Sequence, residues 1–378
     1  MGLYNNALDK LTIKGFKSIC SLENFELTDL NVLIGGNGAG KSNFIDFFRL
    51  LRAMLELSLP NLEKSNLKAF IEDGGGSDNF LFNGPKVTRQ IEAELHFGQN
   101  GYRFKLAPTA EETFIINDEA RLYTGFTSDC WVDLGSGQTV PELLKDKDKK
   151  GYRGPRSVSS YIYESIASWK IYHFHDTSKL APMRRLESIE DYAYLRFDAA
   201  NIAPFLLYLR ENNPSAYKQI IESIRLVTPF FDDFILMPNK NDKVRLQWHQ
   251  KGSDYPLNPL HLSDGTMRFI CLTTALLQPV PPSTIILDEP ELGLHPYAIE
   301  ILAELIQSAS HRTQVIVSTQ SPALVDCFKV EDIIVVNRKD GTSNFQRLKA
   351  EDFTIWFDDY SLGELWRKNI IAGGPDHE

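Results

Sequence analysis

The chain has 378 residues, 43% of them hydrophobic, which is enough for one large domain or two ordinary ones. Forty basic against fifty acidic side chains give a formal net charge of −10, which argues against a protein that coats nucleic acid without specificity. No stretch approaches the roughly 18 apolar residues of a membrane span, and the N-terminus lacks the apolar segment of a signal peptide. The expected location is therefore cytoplasmic, without a membrane partner. The widely spaced cysteines form no C-x-x-C pair and are expected to be reduced and mostly buried: Cys20, Cys130, Cys271 and Cys327.

The first third of the chain predicts short strands around a glycine cluster. LTIKGFKSI and LENFEL, at 11–19 and 22–27, have the pattern of two strands, and DLNVLI runs as a third directly into GGNGAGKS at 35–42. SNFIDFFRLLRAMLEL follows with apolar residues at helical spacing, which predicts a helix with a buried aromatic stripe. RQIEAELHF and YRFKL, joined by GQNG, predict a β-hairpin.

The middle of the chain has weaker patterns. KDKDKKGYRGPR at 145–156 carries six basic and two acidic residues, which is typical of a solvated loop or of a contact to a nucleic-acid backbone. NIAPFLLYLRENNPSAYKQIIESIRLV predicts two helices, the second beginning near Pro214. Two short strands, DDFILM and KVRLQW, are predicted next.

The last third alternates apolar strands with helices. STIILD, TQVIVST and DIIVVN are the strands, and YAIEILAELIQSA and a segment after SPALVD are the helices. This alternation is typical of a parallel sheet covered by helices, so the predicted fold class is α/β.

GGNGAGKS matches the pattern G-x-x-x-x-G-K-S and lies between a predicted strand and a predicted helix, as a phosphate-binding P-loop requires. In such a loop the glycines let backbone N–H groups approach the α- and β-phosphates of ATP. Lys41 reaches the β- and γ-oxygens, and Ser42 offers its hydroxyl to Mg²⁺. The predicted nucleotide-binding residues are Gly35, Gly36, Asn37, Gly38, Ala39, Gly40, Lys41, Ser42 and Asn43.

STIILDEPE, at 283–291, is an apolar strand that ends in two carboxylates. A parallel strand beside the P-loop strand would bring both carboxylates to the metal. Asp288 is predicted to bind Mg²⁺ together with Ser42, and Glu289 is predicted to orient and deprotonate the attacking water. The alternative is that both residues merely begin the following helix, and the separate P-loop favours the metal site.

GGNGAGKS, LSDGT, ILDEPELGLHP and VIVSTQSP, in that order, resemble the ABC-type ATPase heads of the RecF, SMC and OLD-like branch. FKSI and FLFNG are similar to SMC-type heads. The closing YSLGELWRKNIIAGG is similar to stand-alone predicted bacterial ATPases of this branch, which are AAA-family P-loop NTPases. The resemblance implies a parallel core sheet, an N-terminal antiparallel β subdomain and an inserted helical and loop region. We expect one domain, 1–378, with a lobe at 1–106, an inserted region at 107–230 and a second lobe at 231–378.

LSDGT stands where transporter ATPases of this class carry Leu-Ser-Gly-Gly-Gln. Ser263 alone can cap a helix. The resemblance implies that its hydroxyl and the N–H of Gly265 also reach the γ-phosphate of ATP bound to a second subunit. Asp264 departs from the transporter pattern, and its charge implies that it faces away from the nucleotide.

Gln320, in STQSP, stands where many relatives carry a histidine that touches the γ-phosphate. Glutamine can donate and accept hydrogen bonds but cannot titrate. The resemblance implies a catalytic role as a γ-phosphate sensor, and the alternative is a polar residue that satisfies the end of its strand. His295 is expected either to shape the dimer-facing loop or to cap the helix at Pro296.

The resemblance implies a Mg²⁺-dependent ATP hydrolase in which two copies of the chain close around two nucleotides and reopen after hydrolysis. It points to DNA maintenance, repair or defence against mobile elements, with DNA and a separate nuclease or effector protein as partners. One alternative is the energising subunit of a membrane transporter, which the long interval between Lys41 and Asp288 disfavours. Another is an ATPase that regulates an effector unrelated to DNA.

A nuclease within the chain itself is also disfavoured. Only 56 residues follow Pro322, too few for a further nuclease domain. The acidic pair Asp358 and Asp359 is therefore interpreted as the start of a helix.

Overall fold

The computed structural model describes residues 7–59, 62–125, 130–149, 151, 157–353, 356 and 359–371. The strands are β1 Lys10–Phe16, β2 Ile19–Glu26, β3 Leu30–Ile34, β4 Leu57–Leu59, β5 Leu62–Ser65, β6 Ile91–Phe97, β7 Asn100–Pro108, β8 Phe114–Tyr123, β9 Val132–Gly135, β10 Lys170–Tyr172, β11 Glu187–Ser188, β12 Phe231–Ile235, β13 Lys243–Val244, β14 Gln247–Gln250, β15 Thr284–Asp288, β16 Gln314–Thr319, β17 Ile333–Lys339 and β18 Thr342–Arg347. The α-helices are α1 Lys41–Leu55, α2 Leu67–Asp73, α3 Leu143–Asp146, α4 Val158–Ser168, α5 Ile202–Asn212, α6 Pro214–Val227, α7 Asp264–Leu277, α8 Pro296–Ser310, α9 Pro322–Val325 and α10 Leu362–Arg367.

A six-stranded core sheet has the order β10-β15-β16-β3-β17-β18, and all neighbours are parallel except β17 and β18. Every residue of β3 and β16 is buried, as expected for strands covered on both faces. The predicted α/β class with a parallel core sheet is confirmed.

One expectation about this sheet is wrong. The strand that ends in Asp288, β15, is not beside the P-loop strand β3, because β16 lies between them. The three strands run in the same direction, so their carboxyl ends still meet at one edge of the sheet. Sequence separation alone does not reveal which of two later strands inserts next to β3.

A second sheet is antiparallel, with the order β2-β1-β6-β7-β8-β9. The helix α1 lies between this sheet and the core sheet, because its aromatic side chains share one buried cluster with residues of both sheets. Phe44, Phe47 and Phe48 are fully buried there, as the helical spacing predicted. The sheet continues past residue 106 through β8 and β9, and the proposed boundaries of the lobes stay a prediction.

The other face of the core sheet is covered by α5, α6, α7 and α8, which share a second buried cluster with β3, β15 and β16. The helices α5 and α6 correspond to the two predicted over 201–227, and Pro214 is the first residue of α6. None of the helices in the described ranges has the length and apolar character needed to cross a membrane.

Two further expectations concern the burial of the cysteines and the charge of the basic segment at 145–156. Only Cys271 is buried, whereas Cys20 and Cys130 are exposed, so the expectation of mostly buried thiols is wrong. In the basic segment, Lys145, Lys147 and Lys149 each form an ion pair with a nearby acidic side chain. The rest of that segment's positive charge, at 150, 153 and 156, lies outside the described residues.

Candidate nucleotide site

The glycine cluster forms a tight loop between the end of β3 and the start of α1. Gly38 and Gly40 have φ angles of 77° and 116°, in the region that favours glycine over residues with a side chain. A side chain at Gly40 would clash with Ser343, whereas one at Gly38 would meet open space. The loop is therefore packed on one side and open on the other, where a phosphate group could approach its backbone.

Lys41 is the first residue of α1, and its side chain folds back over the loop. Its Nζ donates hydrogen bonds to the carbonyl oxygens of Gly35 and Gly36, at 2.6 and 3.2 Å. Burial lowers the pKa of the Lys41 ammonium, and the negative charges of Glu289, Asp288 and Glu291 oppose that shift. Lys41 and these carboxylates follow strands that run in the same direction, so they lie at the same edge of the core sheet.

The hydroxyls of Ser18 and Ser343 support the glycine loop through hydrogen bonds. Ser343 Oγ donates to the Ala39 carbonyl at 2.6 Å and lies 2.6 Å from Ser18 Oγ. Asn43 Nδ2 donates to the same Ser18 hydroxyl at 2.7 Å. Asn43, a predicted nucleotide-binding residue, thus has its amide engaged in supporting the loop, while the neighbouring Ser42 is exposed.

The carboxyl ends of β15 and β16 carry the other predicted site residues. Asp288 ends β15, in register with Ser318 of β16. Glu289 follows with a φ of 44°, an uncommon backbone conformation for a residue with a side chain. Its N–H donates to the Ser318 carbonyl at 2.8 Å, and the amide of Gln320 donates a hydrogen bond to its carboxylate.

Two buried polar atoms at this edge have no hydrogen-bond partner among the described residues, Ser318 Oγ and Glu291 Oε2. Buried polar atoms in proteins are nearly always satisfied, so these two atoms are candidates for hydrogen bonds to water or to a bound ligand. The exposed Ser42 hydroxyl and the Asp288 carboxylate are oxygen groups of the kind that Mg²⁺ prefers as ligands. No cluster of three or more His, Cys, Asp or Glu that could hold a metal on its own occurs in the described part of the chain.

Two histidines that sequence reasoning missed lie at the same edge of the sheet. His173 and His175 follow the end of β10, and their rings stack with centroids 4.0 Å apart. A ring nitrogen of His175 donates to the Asp288 carbonyl at 2.9 Å. Burial lowers the pKa of His173, and His175 and Arg49 add to this effect. The signal in the sequence was the pattern YHFHD after a short apolar segment.

Ser263 caps α7, as predicted. Its Oγ accepts a hydrogen bond from the Thr266 N–H at 3.1 Å, and the side chain remains exposed. Asp264 turns toward its own chain, where it forms an ion pair with Arg184 at 2.9 Å. Gly265 packs so closely on the Gly293 carbonyl that any side chain would clash. The start of α7 thus rests on the loop after β15, with the Ser263 side chain exposed and its Oγ 2.8 Å from Thr266 Oγ1.

Arg268, one turn further along α7, is a second residue that sequence reasoning missed. Its guanidinium donates to the carbonyls of Phe174, at 2.9 Å, and His175, at 3.2 Å, and also to that of Leu292. The α7 helix is therefore tied both to the histidine-bearing loop after β10 and to the loop after β15.

His295 acts as a helix cap. Its Nδ1 accepts a hydrogen bond from the Tyr297 N–H at 3.3 Å, and Pro296 is the first residue of α8. At the other end of the chain, α10 begins after a capping box of Ser361 and Glu364. Asp359 precedes that cap, and Asp358 lies outside the described residues.

Comparison with known proteins identifies the family of this chain. A family model described as "AAA domain, putative AbiEii toxin, Type IV TA system" matches residues 30–326, most of the chain. None of the curated proteins matches. A solved SMC head bound to the C-terminal winged-helix domain of ScpA is 17% identical, with a TM-score of 0.55, and the match covers 92% of this chain and 99% of that one.

A second solved structure is an SMC head with an extended coiled coil, bound to the C-terminal domain of ScpA from Pyrococcus furiosus. It is 17% identical, with a TM-score of 0.54, over 93% of this chain and 99% of that one. At this identity the two likenesses show a shared fold. The chain therefore belongs to the family of AAA-domain ATPases that the model describes, with the fold of an SMC-type head.

Proposed function

We propose that this ATPase is a switch in which two copies of the chain close on ATP and separate after hydrolysis. The observation that carries the proposal is the exposure of Ser263 at the start of α7. It caps α7 yet stays exposed, at a helix N-terminus suited to an anion. In a dimer with two-fold symmetry, each exposed α7 start would face the P-loop of the partner, so that each site is completed only by closure.

Within one chain, the backbone N–H groups of the P-loop would bind the phosphates. Lys41 would exchange its bonds to Gly35 and Gly36 for the β- and γ-phosphate oxygens, which are stronger, charge-assisted partners. Ser42 and Asp288 would hold Mg²⁺, whose charge would neutralise the phosphate oxygens. The exposed position of Ser42 and the place of Asp288 at the carboxyl end of β15 support this arrangement.

For hydrolysis, Glu289 would accept a proton from water as the water oxygen attacks the γ-phosphorus. The bond between that phosphorus and the β–γ bridging oxygen breaks, and ADP and phosphate are the products. Gln320 would hold the Glu289 carboxylate in place and sense the γ-phosphate. The hydrogen bond between these two side chains supports the assignment.

For the biological process, we propose a role in defence, as in abortive infection, because the family description names a putative toxin of a toxin–antitoxin system. The solved SMC heads carry a bound protein domain, which favours a separate effector protein as the partner here. Binding to DNA, a nuclease partner and a role in DNA repair stay predictions. A transporter role would instead predict co-purification with an integral membrane protein.

Complementation between two inactive variants tests the switch. Ser263→Arg should bind ATP but not hydrolyse it, because the bulky side chain would block closure, and Lys41→Ala should lose nucleotide affinity. Mixing them should restore up to about half of the parental rate, since one of the two sites in the mixed dimer is intact. Ser215→Arg, an exposed serine near the start of α6, is the matched control and should stay active. Ser263→Arg that is monomeric and hydrolyses ATP at the parental rate would refute the proposal.

A further inference from the structure

Glu291 is a buried carboxylate in the loop between β15 and α8, three residues after Asp288. Only 7% of its surface is exposed, which is rare for an acidic residue without a charged partner. Its Oε1 accepts a hydrogen bond from Thr319 Oγ1 at 2.5 Å and another from the Gln320 N–H at 3.1 Å. Its Oε2 has no partner among the described residues.

These bonds tie two loops of the site together. Thr319 Oγ1, while donating to Glu291, accepts a hydrogen bond from the Ser321 N–H at 3.0 Å. The backbone from Thr319 to Ser321 is therefore organised around a single carboxylate oxygen. Gln320 extends from this backbone to the carboxylate of Glu289, so the place of Glu291 determines where that amide lies.

We propose that Glu291 is a positioning residue that acts through Gln320 and thereby sets the orientation of Glu289 for hydrolysis. The proposal rests on the roles proposed above for Glu289 and Gln320. Both hydrogen bonds to Glu291 need only an acceptor oxygen, so the role does not depend on a negative charge. Burial also raises the pKa of the Glu291 carboxyl, in keeping with a side chain held by hydrogen bonds and not by a paired cation.

The decisive comparison is between two substitutions of similar size. Glu291→Gln keeps an oxygen that can accept from Thr319 and Gln320, and we expect its kcat to stay within about threefold of the parent. Glu291→Met removes the acceptor, and we expect kcat to fall roughly tenfold to a hundredfold, as for other misplaced catalytic groups. The KM for ATP should stay within about twofold in both, because the P-loop is untouched.

A double-mutant cycle then tests whether Glu291 acts through Gln320. Gln320→Ala should lower kcat by itself, and adding Glu291→Met should lower it by no more than about a further twofold. Thr319→Val removes one of the two bonds and should give a smaller loss of kcat, which is again hidden in the Gln320→Ala background. This variant keeps the test available if Glu291→Met does not fold, as judged by thermal unfolding.

Each adverse result has a distinct meaning. Equal losses of kcat in Glu291→Gln and Glu291→Met would overturn the proposal, because the charge would then matter. Multiplicative losses in the cycle would overturn it as well, because the two residues would act independently. Parental kcat in Gln320→Ala would remove the proposed role of Gln320, and that of Glu291 with it. Parental kcat in Glu289→Gln would instead refute the hydrolytic part of the proposed function.

Discussion

Two buried carboxylates in this molecule, Glu119 in the antiparallel sheet and Glu291 at the nucleotide site, are surrounded very differently. Burial raises the pKa of both. Glu119 accepts four hydrogen bonds, two on each oxygen, from Tyr102 Oη, Gln138 Nε2 and the N–H groups of Glu142 and Leu143. Glu291 accepts two, both on the same oxygen. The full set of bonds fits a structural role for Glu119, whereas both bonds of Glu291 come from the loop that carries Gln320, which fits the positioning role proposed above.

The same contrast applies to the backbone. Glu119 lies within the strand β8, paired with Gly135 of β9, and is not among the residues with a positive φ. Glu289, beside Glu291, has a positive φ in a loop. Strain of this kind persists where the surrounding structure holds it, and it clusters at functional sites. Substitutions in the antiparallel sheet should therefore lower stability more than ATP hydrolysis. Substitutions at the nucleotide edge should lower ATP hydrolysis more than stability.

The largest expected effect is on catalysis at the nucleotide edge. Glu289→Gln should lower kcat by roughly 10²- to 10⁴-fold, the usual contribution of a general base, while ATP binding is retained. Phosphate release and the binding of a fluorescent ATP analogue measure the two quantities. Glu119→Gln is the control and should hydrolyse ATP at close to the parental rate. A parental rate in Glu289→Gln would contradict the assignment.

The next effect is on stability in the antiparallel sheet. Glu119→Leu leaves buried donors without an acceptor and should lower the free energy of unfolding by about 2–4 kcal/mol. Glu291→Met leaves fewer donors without an acceptor and should lower the free energy of unfolding by less, about 1–2 kcal/mol. Urea denaturation of the two variants and the parent gives these values. The opposite order would mean that the number of hydrogen bonds that each carboxylate accepts does not determine its contribution to stability.

Lys41→Ala should separate binding from stability. Removing the ammonium should weaken ATP binding by roughly tenfold to a hundredfold, the usual contribution of a charge-assisted hydrogen bond. The urea midpoint should change little, because burial already disfavours the charged ammonium. Titration of a fluorescent ATP analogue checks the first expectation. Unchanged affinity would place the phosphates elsewhere.

The smallest effect is a pH dependence that belongs to Glu119. Its pKa in the folded chain is raised above the ordinary value of 4.5 by burial, so the unfolded chain loses this proton first as the pH rises. Between 4.5 and the folded pKa, this group lowers the free energy of unfolding by up to about 1.4 kcal/mol per pH unit. Glu119→Gln removes this titrating carboxyl. The free energy of unfolding of the variant, relative to that of the parent, should therefore increase with pH across that window. Parallel stability curves from urea denaturation would contradict this.

Local features of the site could be predicted from sequence, whereas contacts over long distances in the chain could not. The P-loop, the strand that ends at Asp288 and the Ser263 cap depend on residues that are neighbours in the sequence. The insertion of β16 between β3 and β15 depends on the packing of the whole sheet. Arg268 and Glu291 were missed because their partners lie 94 and 28 positions away, and no local pattern marks such contacts.

Light scattering of Glu289→Gln, with and without Mg²⁺-ATP, tests the proposed switch most directly. This variant should bind ATP without consuming it, so the closed state should accumulate. We predict a monomer without nucleotide, a dimer with Mg²⁺-ATP, and a monomer in both conditions when Ser263→Arg is added. A mass that does not change on addition of Mg²⁺-ATP, at concentrations where ATP binding is saturated, would contradict the account.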